Sequence, residues 1–418
     1  MPVTAHHATW LIAALATAGV ILRPWKLAEA WWATAGAAVL VLAGLLPWRH
    51  ALAAVNKGTD VYLFLAGMML LSELARREGL FDYVAEAAAR HARGSGARLF
   101  LLVYATGTLV TVFMSNDATA VVLTPAVYAA TRKAGVKPLP YLFACALVAN
   151  AASFVLPISN PANLVVFGPH LPPLGQWVRQ FALASLASIA ATYLALRWLF
   201  RAELAGPAEA PTGGAALSFT GKLTAGAIAV VAAVLLAASG AGWDLGLPTL
   251  ATAGIATAVV LGIKRENPGP LLRHVSWGVL PLVAGLFVLV EGLADTGLLQ
   301  AAAGQLRAAA GAAPGATAWG AGLLAAFGCN LVNNLPAGLL AGTVGAAADA
   351  TPAIRSAIAI GIDLGPNLSV TGSLATLLWL TAIRREGEDV GAWQFLKVGA
   401  IAMPLALVPA LLGLWLTT

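Results

Sequence analysis

Four short polar segments interrupt the apolar runs of this 418-residue chain: Ser115-Asn116-Asp117, Pro157 to Asn163, Asn333-Asn334 and Asp363 to Asn367. Each combines side-chain amides or prolines with long apolar neighbours. If the apolar runs cross a membrane, such interruptions expose backbone and side-chain polar groups at membrane depth, where they are tolerated only around a cavity or inside protein. A carboxylate at that depth can exchange a proton. These four segments are therefore the candidate site.

The composition predicts that the whole chain is one integral membrane domain. Hydrophobic residues make up 60% and charged residues 10%, and the mean hydropathy is +0.83, whereas a soluble domain carries roughly 25% charged residues. Charge-free runs long enough to span a bilayer recur along the chain. The net charge of +6 is therefore attributed to membrane orientation and not to nucleic-acid binding.

Cys145 and Cys329 are the only two cysteines, and both lie inside apolar stretches. This excludes a disulfide framework and a metal site built from several thiolates. The six histidines show no ligand spacing. We therefore expect neither a metal nor a cofactor, and we expect both cysteines to be buried.

A fixed offset of 218 positions relates two halves of the chain. Ala66-Gly67, Glu73 and Gly79-Leu80 recur as Ala284-Gly285, Glu291 and Gly297-Leu298, and Asn116 recurs as Asn334. Further on, Asn163 and Asn367 are matched at 204 positions. The interpretation is an N-terminal half, 1–201, a hydrophilic cytoplasmic linker, 202–221, and a C-terminal half, 222–418. For Glu73 and Glu291 we expect a structural role.

Arginine placement predicts how the halves are oriented. The segment 75–98 carries Arg76, Arg77, Arg90, Arg93 and Arg98, whereas its counterpart 293–316 carries only Arg307. By the positive-inside rule these equivalent segments lie on opposite faces of the membrane. The fold class is therefore an all-α polytopic membrane protein with two inverted-topology repeats, an architecture common among secondary transporters. Segments 80–93 and 298–311 are expected to lie along the interface.

Two hairpins are predicted, at about 98–132 and about 316–350. The first is too long for one span and too short for two, and basic residues lie at both of its ends. A re-entrant hairpin on the cytoplasmic side satisfies both facts, with Ser115-Asn116-Asp117 at its tip. Together with helices broken at midplane, this gives ten full spans and two re-entrant hairpins. The alternative, that the polar breaks are extramembrane turns, stays open, since Asn and Pro are ordinary turn residues.

The motifs resemble those of a known family. The string FMSNDATAVVLTPAV from Phe113 to Val127, with PISNPAN at 157–163 and NNLPAGL at 333–339, is similar to the ArsB-type arsenite and antimonite efflux permeases of the ion transporter superfamily. The resemblance covers nearly the whole chain. It implies extrusion of a neutral trivalent hydroxide across the cytoplasmic membrane in exchange for protons. Some members also associate with a soluble ArsA-type ATPase, and whether one docks here stays open.

The resemblance also implies the chemistry of the site, because arsenous acid presents three hydroxyls and amides can both donate to and accept from them. The substrate-binding candidates are the amides Asn116, Asn163, Asn334 and Asn367, supported by Ser115, Thr119, Asn333 and Thr371. Asp117, at the hairpin tip, is the first candidate for proton coupling, and Asp363 is the second. A helix-capping role is the alternative for either carboxylate.

Other functions remain open on the sequence alone. A sodium/proton antiporter or an anion carrier of the same superfamily is the alternative within transport. A channel would pass solute without protons. A membrane-embedded protease would need a pair of carboxylates. Asp117 has Leu335 at its symmetry-related position, so the repeat does not supply the second carboxylate.

Overall fold

The computed structural model describes residues 3–209 and 216–418, and within these ranges the protein is helical throughout, without a β-strand. This confirms the predicted all-α membrane fold. In the first half the α-helices are α1 Val3–Leu22, α2 Glu29–Leu42, α3 Trp48–Lys57, α4 Thr59–Arg77, α5 Leu80–His91, α6 Gly96–Phe113, α7 Thr124–Lys133, α8 Leu139–Ala151, α9 Pro161–Phe167, α10 Leu174–Leu199 and α11 Arg201–Leu204.

The second half repeats this order. Its α-helices are α12 Phe219–Gly240, α13 Gly246–Lys264, α14 Gly269–His274, α15 Val279–Asp295, α16 Leu298–Ala312, α17 Pro314–Val332, α18 Asn334–Ala347, α19 Pro352–Leu364, α20 Leu374–Arg385 and α21 Ala392–Thr417. The predicted linker, 202–221, is shorter than expected, because α12 already begins at Phe219. Residues 210–215 of that linker lie outside the described residues.

Seven single helices of the described chain are long and apolar enough to cross a membrane: α1, α6, α10, α12, α13, α17 and α21. Two bent pairs raise this to nine, namely α3 with α4, bent by 48°, and α15 with α16, bent by 76°. The seven include α6 and α17, which are the first legs of the two predicted hairpins. The number of ten full spans therefore stays a prediction.

Helix starting points reveal the register of the repeat. The helices α6 and α17 begin 218 positions apart, at 96 and 314, and so do α10 and α21, at 174 and 392. In between, α8 and α19 begin at 139 and 352, and α9 and α20 begin at 161 and 374, which is an offset of 213. The predicted match of Asn163 with Asn367 at 204 is therefore wrong. Asn163 lies in the first turn of α9, after its break, whereas Asn367 lies within the break between α19 and α20, in the short 3-10 turn Gly365–Asn367.

Two parallel helix pairs join the halves. Helix α4 packs on α13 and α2 packs on α15, each at a glycine that lets the backbones approach closely. A Cβ added to Gly67 would lie 2.7 Å from the carbonyl carbon of Thr249, and one added to Gly285 would lie 2.7 Å from that of Ala33. The repeated glycine of the sequence motif is thus a repeated helix crossing.

Ion pairs lie near the ends of these helices. At the arginine-rich end, Lys264 Nζ lies 2.8 Å from Glu78 Oε1 and joins α13 to the end of α4. The repeated glutamates make ion pairs as well: Glu73 with Arg76 at 2.6 Å, and Glu291 with Lys57 at 2.7 Å. These contacts agree with the structural role expected for both glutamates.

Candidate functional site

Both hairpin tips are sharp turns at equivalent non-glycine residues. After α6 the chain turns at Ser115, where φ is 149°, and after α17 it turns at Asn333, where φ is 73°. A positive φ is unfavourable for residues other than glycine and persists only where the surroundings enforce it. These two residues are 218 positions apart, so the strained tip is itself part of the repeat.

The returning leg of each hairpin begins at an asparagine, Asn116 in the first hairpin and Asn334 in the second. In the first hairpin the return leg then widens into a π-helical turn, Ala118–Leu123, a feature common at functional sites. Within this turn Thr119 Oγ1 lies 2.8 Å from Thr111 Oγ1 on the outgoing leg. Thr119 therefore ties the two legs together.

A hydroxyl in each half ties the broken helix to its own hairpin. Ser159, in the break between α8 and α9, donates to the Val112 carbonyl at 3.1 Å. In the second half Thr371 donates to the Asn330 carbonyl, also at 3.1 Å. The two acceptors, Val112 and Asn330, are 218 positions apart, whereas the donors are 212 apart, one position off the offset of 213 between the helices on either side of them. Each tip is thus held beside a helix break.

Asn160 connects the two halves at the centre. Its Oδ1 accepts the backbone N–H of Ala162 at 3.0 Å and so caps α9. That bond fixes the orientation of the amide, whose Nδ2 donates to Asp363 Oδ1 at 2.7 Å. Sequence reasoning named Asp363 and missed Asn160. The available signal was an asparagine before Pro161, which is a preferred start for a helix.

A second bond across the halves lies beside the first. Asn150, at the end of α8, donates through Nδ2 to Asn367 Oδ1 at 2.9 Å, and Asn367 donates to the Leu147 carbonyl at 3.1 Å. Asn150 was also missed by sequence reasoning. At the observed offset of 213 it is the counterpart of Asp363, so one half has a neutral amide where the other has a carboxylate.

Among the described residues, five buried side-chain oxygens at these tips and breaks accept no hydrogen bond from another protein group. They are Oδ1 of Asn116, Asn150, Asn163 and Asn334, and Oδ2 of Asp363, and each residue is at most 3% exposed. Buried acceptors without donors are uncommon in folded proteins and costly to maintain. The arrangement is therefore rich in acceptors and suited to a solute that brings hydrogen-bond donors or positive charge.

The remaining predicted residues are Asn333, Ser115 and Asp117. Asn333 donates to the Thr371 carbonyl at 3.3 Å, and Ser115 Oγ accepts the N–H of Ala118 at 3.3 Å, so both stabilise a tip. Asp117 is half-buried, and none of the hydrogen bonds found among the described residues involves its carboxylate. The buried polar side chains of the described ranges include no lysine or arginine.

The cysteines are buried, as expected. Cys329 donates its S–H to the Ala326 carbonyl at 3.2 Å. No group of three or more histidine, cysteine, aspartate or glutamate side chains in the described part of the chain could hold a metal ion.

The sequence is similar to that of known transporters. The family described as "Citrate transporter" matches residues 12–366. An arsenical pump membrane protein of Escherichia coli is 27% identical over 402 residues, covering 91% of this chain and 92% of the relative. One from Yersinia enterocolitica is 27% identical over 397 residues, with the same coverage. An uncharacterized transporter of Mycobacterium tuberculosis is 27% identical over 407 residues, covering 92% of both chains.

Two solved transporters share the fold at low sequence identity. The YdaH transporter of Alcanivorax borkumensis superposes with a TM-score of 0.61 at 18% identity, covering 88% of this chain and 87% of that one. MtrF of Neisseria gonorrhoeae, from a class of antimetabolite efflux pumps, gives 0.54 at 13% identity, covering 88% and 83%. These similarities concern the fold alone.

Proposed function

The chain belongs to the citrate transporter family and is a multi-pass membrane transporter, and on that basis we propose that it exports arsenite and antimonite as neutral trivalent hydroxides in exchange for protons. Two of its relatives, from Escherichia coli and Yersinia enterocolitica, are named arsenical pump membrane proteins. The fold supplies two hairpin tips and two helix breaks, one pair in each half.

The observation that carries this proposal is the excess of buried acceptors. Five oxygens without donors, on Asn116, Asn150, Asn163, Asn334 and Asp363, match a small solute whose three hydroxyls can each donate a hydrogen bond. A citrate-like anion would instead require positive groups or many donors. The buried polar side chains in the described ranges contain neither lysine nor arginine, which argues against an anionic solute.

We assign the transported proton to Asp363, ahead of Asp117. Asp363 is 1% exposed, and its Oδ1 is held by Asn160 of the other half, while Oδ2 is free of partners. A proton on Oδ2 would remove the negative charge and turn this oxygen into a donor, and so would weaken a hydrogen bond from a solute hydroxyl; proton and solute would therefore compete for Asp363. Asp117 lacks such a fixed environment and is the second candidate.

The experiment is arsenite uptake into everted membrane vesicles, with and without an interior-acid pH gradient. Wild-type protein should accumulate arsenite only with the gradient. Asp363→Asn keeps the shape of the side chain but cannot carry the proton, so gradient-driven accumulation should be lost. Asp349→Asn, at a carboxylate that is 91% exposed, is the matched control and should behave as wild type. Accumulation that ignored both the gradient and Asp363→Asn would refute the coupling proposal.

A sodium/proton antiporter is the second candidate, and the same acceptors favour it. Oxygen ligands that include a carboxylate suit a hard cation as well as a hydroxyl donor. Sodium uptake into the same vesicles separates the two functions. If a pH gradient drove uptake of ²²Na⁺ and not of arsenite, the arsenite proposal would fall and the antiporter would replace it.

A further inference from the structure

Two adjoining cavities open at the end of the second hairpin, away from the polar centre. One has a volume of about 200 Å³ and lies between α17, α19 and α21. The other, of about 270 Å³, lies between the arm α16 and the turn that precedes α19. Both are lined by Thr351, so they meet at this residue. We refer to the two adjoining cavities together as the groove.

The first cavity is largely apolar and faces the bilayer. Its lining includes Ala318 and Trp319 on α17, Ala357 on α19, and Leu411 and Trp415 on α21. On the same helices Leu324 is 76% exposed and Leu416 is 62% exposed, as expected for surfaces in contact with lipid. Tryptophan is enriched where a membrane meets water. The cavity therefore lies near the membrane interface and can accept a hydrocarbon chain.

The second cavity contains a guanidinium group. It is lined by Arg307, the one basic residue of α16, which donates to the Ala347 carbonyl. Arg355 lies nearby and donates to the Ala350 carbonyl at 3.1 Å. Asp349, which lines the same cavity, lies 3.9 Å from Arg307, but the two side chains are 91% and 59% exposed, so this ion pair is weak and Arg307 can exchange Asp349 for another anion. A guanidinium at this position suits a phosphate group.

We propose that this groove binds one phospholipid, with its phosphate at Arg307 and one acyl chain between Trp319 and Trp415. The cavity that contains Arg307 adjoins the apolar cavity at Thr351, so the phosphate and the acyl chain of one molecule can occupy the two cavities. The lipid fills space between the first leg of the second hairpin and α21. It would thereby support the hairpin from its membrane side, independently of which solute the protein carries.

The test uses two matched substitutions in α17. A Cβ at Gly315, which lines the apolar cavity, meets no atom within 4 Å, and the same is true at Gly320, which does not line it. Gly315→Leu should fill the cavity, whereas Gly320→Leu adds the same side chain elsewhere on the helix. Arg307→Gln removes the charge while retaining hydrogen-bonding capacity. Purified, delipidated proteins are titrated with phosphatidylglycerol, and bound lipid is counted by native mass spectrometry.

We expect one tightly bound lipid per wild-type chain and per Gly320→Leu chain. Gly315→Leu should weaken binding at least about tenfold, since it displaces two or more methylene groups of the acyl chain. Arg307→Gln should weaken it severalfold. Equal binding by Gly315→Leu and wild type would overturn the proposal, and so would equal losses in both leucine variants. Glycerol 3-phosphate and oleate are added separately, and tight binding of either alone would show that the site takes only one part of a lipid.

Discussion

Replacing Asn160 tests the contact that joins the two halves. In Asn160→Ala the chain loses the cap of α9 and the donor to Asp363 together. In Asn160→Ser the hydroxyl can still cap α9 but is too short to reach Asp363. Ser373 already fills this role in the second half, where it caps α20 through the N–H of Thr376 at 3.1 Å. The two variants therefore separate the cap from the contact between halves.

The magnitudes follow from the two bonds. An N-cap contributes about 1 kcal/mol. A hydrogen bond between membrane helices contributes about 0.6 to 1.7 kcal/mol, and the carboxylate acceptor of Asp363 places this one toward the upper end. Asn160→Ser should thus lower the free energy of unfolding by about 1.5 kcal/mol. Asn160→Ala should lower it by about 2.5 kcal/mol.

The measurement is equilibrium unfolding in mixed micelles with increasing sodium dodecyl sulfate, made for each variant in the wild-type and the Asp363→Ala background. With Asp363 removed, Asn160→Ser has no contact between halves to lose. Its cost should then fall below about 0.5 kcal/mol, because residues in direct contact are energetically coupled. An unchanged cost in that background would refute the assigned contact. Equal costs for the serine and alanine variants would refute the cap.

Three further predictions concern the framework around the site. Burial alone would raise the pKa of Glu78, but hydrogen bonds from Lys264 and a neighbouring threonine lower this pKa below 4.5. Wild type should therefore be more stable than Glu78→Gln at pH 7, and this difference in stability should be lost as the pH falls below about 4.5. Gly67→Ala should lower the midpoint of thermal unfolding, since its Cβ would meet backbone of α13 at 2.7 Å, whereas Gly226→Ala, in open space, should not. Ser159→Ala should slow the proposed arsenite transport at least about fivefold, because the hydrogen bond of about 1 kcal/mol to the Val112 carbonyl of the first hairpin is lost, together with the bond that Ser159 Oγ accepts from the Leu156 N–H at 3.2 Å.

Much of the architecture could be predicted from the sequence because it depends on local composition. A bilayer requires long apolar runs with satisfied backbone groups, so hydropathy reveals the helices. The 218-residue offset identified Gly67 and Gly285 as equivalents, and both are helix crossings. The strained tips at Ser115 and Asn333 likewise coincide with the predicted polar interruptions. These features could be predicted because they depend on residues that are close in the sequence or that recur at a fixed spacing.

The contacts of the site could not be predicted in the same way. Asn150 and Asn160 resemble ordinary turn or capping residues in sequence, and their partners Asn367 and Asp363 lie in the other half of the chain. The 204-residue match between Asn163 and Asn367 was wrong because it relied on similar letters, Pro-Ala-Asn-Leu and Gly-Pro-Asn-Leu. The helix boundaries place Asn163 in the helix after its break and Asn367 within its break.

The sequence by itself determined that this protein is a duplicated helical membrane protein with polar residues at four breaks, since hydropathy and spacing are properties of the chain alone. Only the tertiary structure decided which of those polar groups bond to one another and which acceptors are left without donors. A hydrogen bond depends on distance and direction between atoms that can be more than 200 residues apart, as in Asn160 and Asp363. These distances and directions are fixed only when the two halves pack together.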